Sequence, residues 1–532
     1  MNGMTTVRQA VLDLLRSLGV TTVFGNPGST EMPFLDRFPG DFRYILGLQE
    51  SCVVGMADGY ARASGQAAFV NLHSAAGVGH ALGNVFTAHR NQAPLVITAG
   101  QQVRALLPNQ PFLGATDAAQ FPKPYVKFSI EPARAEDVPA AIAQAHRIAL
   151  RKPCGPTFVS IPADDWARPC APLVPRILSP DSAPDPALIA EAARALAASR
   201  RPVLVAGPEV DQEGIGPAFV ALAEAIGAPV LTSPFASRIA FPEDHPLFAG
   251  FLAAAPQAVS DALAPFDCVL VVGAPVFTFH VAGEATVFGR GVPIFHLTAD
   301  DATAASAPAG TSILGSLRFS VPALTAALPE MQRTPPPPRM AATPPLPADP
   351  IPAAWLLHRL HLAIPKNTIL VEEAPSHRPA MQAQMPRSRW GSFFTMASGG
   401  LGYSLPAAVG VALAKPDQRV VCLIGDGSMM YSPQALWTAV QHRLRLTTVV
   451  INNGGYGAMR SIGQAMQVRD IPGIDLPGLD FVRIAEGMGC PGLRVTDPAR
   501  LDAALREACQ AEGPMLVEVV VDAAVPTLYH KA

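Results

Sequence analysis

Three times along the chain, short runs of β-branched and aliphatic residues alternate with longer stretches whose apolar positions recur at helical spacing. In the first part, 22–25, 44–46, 67–72 and 95–99 read as buried strands, with helices over 50–64 and 75–89 between them. The middle part offers 202–206, 229–232, 268–273 and 293–298, and the last offers 368–371, 420–424, 447–452 and 515–521. Strands that are apolar along their whole length have no solvent face, so both faces of their sheet need helices over them. The expected fold class is α/β: three consecutive domains, each a mostly parallel sheet flanked by helices.

Two proline-dense stretches set the domain limits. Around 170–186 the chain reads CAPLVPRILSPDSAPDP, and around 332–352 it reads QRTPPPPRMAATPPLPADPIP. Proline at that density continues neither a helix nor a central strand, so both read as extended linkers. The domains expected are 1–170, 187–331 and 352–532. The first and last carry hints of a common plan but no fixed-period repeat.

Composition narrows the function classes. A net charge of −3 leaves no basic footprint for nucleic acid. A mean hydropathy of +0.25 combines with no apolar run near bilayer length, and so reads as buried interior. The N-terminus lacks a secretory pattern, and the seven scattered cysteines form no Cys-x-x-Cys pair. They read as reduced thiols of a cytoplasmic protein.

The chemical signal is strongest near the C-terminus. VVCLIGDGSMMYS places Gly425-Asp426-Gly427 straight after a strand, followed by a helix over 433–441, a second strand and Asn452-Asn453. One βαβ crossover separates the two motifs, so carboxylate and amide reach the carboxyl ends of neighbouring parallel strands, where open sheets bind ligands. Their oxygens suit Mg²⁺, which favours phosphate company, and a helix expected beyond Ser428 would offer amides to a diphosphate. This pattern is similar to the thiamine-diphosphate fingerprint. Such a cofactor needs a carboxyl group at its pyrimidine ring. Glu50, which ends a strand and opens an apolar helix in GLQESCVVGMADGYA, stands in a suitable place.

FGNPGS (24–29), FRYILGLQE (42–50), NLHSAAG (71–77), TAGQQ (98–102), GGLGYSLPAA (399–408) and NNGGYGAMR (452–460) carry a wider resemblance. The chain resembles the benzoylformate decarboxylase family of thiamine-diphosphate-dependent 2-keto acid decarboxylases from about residue 5 to 525. The resemblance implies that Asp426, Asn453 and the Gly455 carbonyl hold Mg²⁺, with Gly427, Ser428 and Tyr431 beside the diphosphate. It further implies that Gly399 accepts from the cofactor's amino group and that Leu401 wedges the cofactor into a bent shape. By the same resemblance Glu50 bonds the pyrimidine nitrogen, Ser29 holds the substrate carboxylate, His73 orients the substrate and His280 returns a proton once CO₂ has left. His80, His89, His296 and His377 have no matched role. The substrate pocket implied comprises Ser29, Phe112, Leu113, Pro375, Thr395, Ala458 and Ile462.

That pocket departs from the family pattern. Thr395 and Ile462 stand where the resembled enzymes carry aromatic rings, Phe112 where they carry an aliphatic residue, and Pro375 where they carry a hydroxyl, with Glu373 retained nearby. Changes of this kind shift substrate preference within one reaction. The expected activity is release of CO₂ and an aldehyde from benzoylformate or a related aryl 2-keto acid. Alternatives are an acetolactate-synthase-type carboligase, an oxalyl-CoA-like acyl-CoA decarboxylase and a catalytically silent binding subunit. The family further implies sites shared between subunits of a homo-oligomer, usually a tetramer. In the middle part, LVAGPEV lacks Gly-x-Gly-x-x-Gly, so no FAD or NAD is expected there.

Overall fold

The computed structural model describes residues 4–174, 176–283, 286–526 and 528. It contains three six-stranded sheets whose strand pairs are all parallel, and a two-stranded antiparallel ribbon joining Thr5–Thr6 to Pro169–Cys170. Helices cover the sheets, so the α/β expectation holds. Among the described residues, 171–185 and 332–352 hold no helix, and the segments beyond open with the helices Pro186–Ala198 and Ala353–Ala363.

The strand orders say where ligands bind. The N-terminal sheet runs Arg43–Leu46, Thr22–Gly25, Ala68–Leu72, Leu95–Gln101, Thr157–Pro162, Ser129–Ile130. The C-terminal sheet runs Phe393–Thr395, Ile369–Glu373, Val420–Gly425, Leu446–Asn452, Met515–Val520, Gly492–Val495. Numbered by sequence within each sheet, both orders are 2-1-3-4-6-5, so the two terminal sheets share one topology. In both, the order reverses between the first and third strands, and the carboxyl ends at such a reversal form a ligand crevice. Gly25 and Leu72 end those strands in the N-terminal sheet, and Glu373 and Gly425 end them in the C-terminal sheet. The middle sheet has the order 3-2-1-4-5-6.

Two helices lock the terminal sheets together. Glu50–Ser64 and Ser404–Ala414 share one apolar cluster containing Val53, Met56, Leu405 and Val409. They approach so closely that a Cβ at Gly410 would lie 1.9 Å from the Met56 carbonyl oxygen. Within this core runs a buried polar network: Tyr403 donates to Asp58 (2.7 Å), while Arg62 donates to Tyr403 (2.7 Å), to the Thr395 carbonyl (2.9 Å) and to the Ser237 carbonyl (2.9 Å). Arg62 thereby ties together residues of all three sheet units. The bonds made by its Nη1 and Nη2 offset the cost of burying its charge, while Nε has no partner among the described residues.

Candidate active site

The C-terminal crevice is built around Asp426. Gly425, extended at φ −74° and ψ 156°, ends its strand, and a single helical turn begins at Asp426 itself. This corrects the expectation of a helix starting beyond Ser428; the next helix is Ala435–Gln441. Asp426 accepts from the Gly427 amide through Oδ1 and from the Gly455 amide through Oδ2, both at 2.7 Å. It is buried, and burial raises its pKa while those amides oppose the rise. Asn453 is buried beside it, with Nδ2 lacking a partner. Gly455 sits at φ 147°, a backbone state that favours glycine, and turns the loop over the crevice. Arg460 orders this loop by donating to the Asn453 carbonyl (3.1 Å), the Gly454 carbonyl (3.0 Å) and Asp475 (2.7 Å).

These groups fit a hydrated, phosphate-bound cation. Among the described residues no three His, Cys, Asp or Glu side chains are placed to hold a metal. A cation here would draw instead on one carboxylate, one amide oxygen and backbone carbonyls, a hard-oxygen set that suits Mg²⁺. The orphaned Asn453 amide and the buried, destabilised Asp426 charge are what such an ion and its ligand would satisfy.

The same crevice opens into a cavity of about 920 Å³. From the cofactor set, Gly399, Leu401, Gly427, Ser428 and Gly455 line it with Asp426 and Asn453. From the substrate set, His280, Pro375, Ala458 and Ile462 line it. Glu373 braces the Gly399–Leu401 loop from beneath, accepting from the Gly402 (2.7 Å), Tyr403 (2.9 Å) and Ser404 (2.7 Å) amides. It thus caps the Ser404–Ala414 helix, and burial pushes its carboxyl up to about 7 against those amides. Two assigned residues stand apart. Thr395 is fully buried in its strand and does not reach the cavity, because its hydroxyl is turned onto Arg378. Tyr431 is 55% exposed and also lies outside it.

The second group gathers at the N-terminal crevice. Gln49 caps the Glu50–Ser64 helix through the Cys52 amide (3.1 Å), leaving Glu50 in the first turn, 14% exposed. Glu50 Oε2 meets Nδ1 of His80 at 3.1 Å, a partner that the sequence pattern did not indicate. A Cβ at Gly77 would lie 3.4 Å from Glu50 and 3.5 Å from His73, so that glycine lets the two approach. His73 opens the Ser74–Arg90 helix, and its Nδ1 lies 2.9 Å from Glu31 Oε2 and 3.0 Å from Thr30 Oγ1. Glu31 is itself buried and accepts from the Gly28 amide (2.8 Å), the Gly100 amide (3.0 Å) and Thr30 (2.6 Å). Such a carboxylate accepts a hydrogen bond from Nδ1–H, which keeps the proton on Nδ1 and leaves Nε2 as the working nitrogen. Ser29 and Phe112 are exposed, Phe112 by 87%, and Leu113 by 38%.

Within one chain the two groups remain apart: Ser29, Glu50, His73, Phe112 and Leu113 do not line the cavity that holds His280 and the Asp426 loop. Sequence reasoning missed Glu31, Arg460 and the bracing role of Glu373. The spacing of Gly28 to Glu31, that of a capping box, was the available signal for Glu31. The Glu372-Glu373 pair ending a buried strand was the signal for Glu373.

Paired parallel sheets of one topology, with an Asp-Asn-glycine crevice at the reversal of one and an acid-opened helix by the other, define a class. The chain belongs to the thiamine pyrophosphate enzyme family. It matches the N-terminal TPP binding domain over residues 5–121, the central domain over 189–324 and the C-terminal TPP binding domain over 376–519. It is 44% identical to benzoylformate decarboxylase of Pseudomonas aeruginosa over 525 residues, covering 97% of this chain and 99% of that one. Among solved structures it is similar to benzoylformate decarboxylase from Polynucleobacter necessarius, with TM-score 0.95, 38% identity and coverage of 98% and 100%. It is also similar to the thiamine diphosphate-dependent 4-hydroxybenzoylformate decarboxylase of Rhodococcus jostii RHA1, with TM-score 0.94, 41% identity and coverage of 97% and 99%.

Proposed function

We propose that the chain is a thiamine-diphosphate- and Mg²⁺-dependent carboxy-lyase that converts an aryl 2-keto acid, benzoylformate first, into an aldehyde and CO₂. The observation that carries this reading is the single cavity lined by both the Asp426–Asn453–Gly455 cradle and His280. The bound cofactor supplies the electron sink that lets the carbon–carbon bond to CO₂ break.

The chain's own residues then do the following. Asp426, Asn453 and Gly455 hold Mg²⁺, and Ser428 flanks the diphosphate. Gly399 offers its carbonyl, and Leu401 supports the cofactor's bend. Glu50 hydrogen-bonds the pyrimidine nitrogen, Ser29 holds the substrate carboxylate, and His73, with Nε2 directed outward, orients the substrate. His280 donates the proton that replaces CO₂ on the reacting carbon. Phe112, Leu113, Pro375, Ala458 and Ile462 enclose the aryl group.

The separation of the two residue groups supports a site completed by a second copy of the chain, in a homotetramer. Exposed apolar side chains around both groups, including Leu48 (44%), Phe112 (87%) and Met459 (47%), fit such cover. Domain limits at 1–170, 187–331 and 352–532 belong to this reading, as does a cytoplasmic location. In support of the latter, all seven cysteines are free and no described helix is long and apolar enough to cross a membrane.

The test is CO₂ release from benzoylformate, pyruvate, a branched-chain 2-keto acid and phenylpyruvate, with thiamine diphosphate and Mg²⁺ added or omitted. Cofactor-dependent release with free aldehyde, fastest on benzoylformate, is expected. Acyloin as the main product would move the reading to a carboligase, and no turnover with cofactor bound would overturn it.

A further inference from the structure

The cavity wall carries a guanidinium that the mechanism above leaves unused. Arg378 opens the helix Arg378–Gln384, directly after the Pro375–His377 turn, and lines the same cavity as Pro375, Ala458 and Ile462. Its Nη2 donates to Thr395 Oγ1 at 2.6 Å and pairs with Glu372. Both anchors are fully buried, and Glu372 is further fixed by the Ala374 amide at 2.6 Å. Thr395 stands where the resembled enzymes carry an aromatic ring. Here a short side chain with a hydroxyl leaves room for the guanidinium and holds it.

Two features of this arrangement decide what it can recognise. First, one nitrogen takes both anchors, so among the described residues Nε and Nη1 of Arg378 make no hydrogen bond, and the side chain stays 19% exposed. A planar fork held on one edge presents its other edge in a fixed direction, which makes for a selective donor. Second, the Glu372 carboxylate offsets the positive charge. The remaining N–H groups therefore suit a neutral oxygen better than a second carboxylate. His377, buried on the same cavity wall, has Nε2 without a partner, and burial lowers its pKa to about 4, so it adds a neutral polar group.

We infer that Arg378 is a specificity-determining residue: it donates to a neutral oxygen substituent at the far end of an aryl 2-keto acid. Hydroxyl- or alkoxyl-bearing rings are preferred over alkyl isosteres, because the alkyl group would leave the guanidinium edge desolvated and unpaired. This rests on the aryl 2-keto acid reading above.

The test compares kcat/KM of the holoenzyme for phenylglyoxylates bearing 4-hydroxyl, 4-methyl and 4-carboxylate groups. Removing Arg378 alone strands the buried Glu372 charge, so the variants are the double Arg378→Met/Glu372→Gln and the single Thr395→Val. The wild type is expected to favour 4-hydroxyl over 4-methyl by about tenfold or more, mainly through KM. The ratio should collapse towards one in the double variant and shrink in Thr395→Val. A general folding defect would lower both substrates together and leave the ratio intact. An unchanged ratio in the double variant, or a wild-type preference for 4-methyl or 4-carboxylate over 4-hydroxyl, would overturn the inference. If no aryl keto acid is turned over, the activity reading fails instead. Calorimetric binding of 4-hydroxy- and 4-methylmandelate to the holoenzyme then decides the inference: tighter binding of the hydroxylated ligand, lost in the double variant, upholds it, and equal binding sinks it.

Discussion

Nδ1 of His73 and Oε2 of Glu31 lie 2.9 Å apart, and the carboxylate in this pair is held in turn by two backbone amides and a threonine hydroxyl. Glu31 is therefore a positioning residue: it fixes the tautomer of His73 and aims Nε2 outward. Glu31→Gln keeps the shape but presents an amide that can donate to Nδ1 and so favour the wrong tautomer. A loss of about 10- to 100-fold in kcat/KM is expected, with the affinity for thiamine diphosphate little changed. Steady-state kinetics beside a cofactor titration checks this; parallel loss of both would show that Glu31 only supports the fold.

Asp426 is buried where its charge is costly, so its retention needs a cation. In Asp426→Ala, added thiamine diphosphate and Mg²⁺ should no longer raise the melting temperature. In the wild type, ligand at 100 times its Kd should stabilise by about 2.7 kcal/mol. Chelation of Mg²⁺ from the wild type should reproduce the variant's loss. A variant that still shows the full ligand-induced shift would remove Asp426 from the cradle.

The sequence reading and the structure agree on most interior strands and part company mainly at the edges, although the interior strand Thr157–Pro162 went unread and the edge strand Arg43–Leu46 was found. Val420–Gly425 and Leu446–Asn452 were legible because they lie inside a sheet covered on both faces and are apolar throughout. Phe393–Thr395 is an edge strand of only three residues, and in the edge strand Gly492–Val495 Arg494 is exposed, so neither presents an apolar run of strand length. The site divides in a similar way. Asp426 and Asn453 are legible because the crossover length forces them together. Glu31 and His73 stand far apart in sequence and meet only because their strands are neighbours at the reversal of the sheet. Arg378 was invisible for a related reason, since only the packed core shows that Thr395 faces it.

His296 gives a pH prediction away from the active site. It lies in the middle sheet, 1% exposed, with Nδ1 3.1 Å from Ser312 Oγ and Nε2 without a partner, and burial lowers its pKa from 6.5 to about 4. Between those values the unfolded chain binds the proton and the folded chain does not. The stability from a neutral His296 is thus fully present above about pH 6.5 and is lost as pH falls towards 4, by up to about 1.4 kcal/mol per unit. His296→Gln cannot titrate, so its melting-temperature deficit against the wild type should narrow from pH 7 to pH 5. A deficit that stays constant with pH would contradict the buried-neutral assignment.

The division of the proposed site between chains makes a prediction that mutation of one residue cannot. Glu50→Gln removes the acid of the N-terminal crevice and Asp426→Ala removes the cradle of the C-terminal one, so each homo-oligomer should lose at least about 100-fold in activity. If each site takes Glu50 from one subunit and Asp426 from its partner, a mixed dimer contains one site with both defects and one with neither. Co-folding equal amounts should then recover about a quarter of wild-type activity, since half the dimers are mixed and each has one intact site. If a single chain supplied both residues, every site in the mixture would carry one defect and activity would stay at the level of the parents. Activity of the co-folded mixture, measured against either parent alone, separates the two architectures.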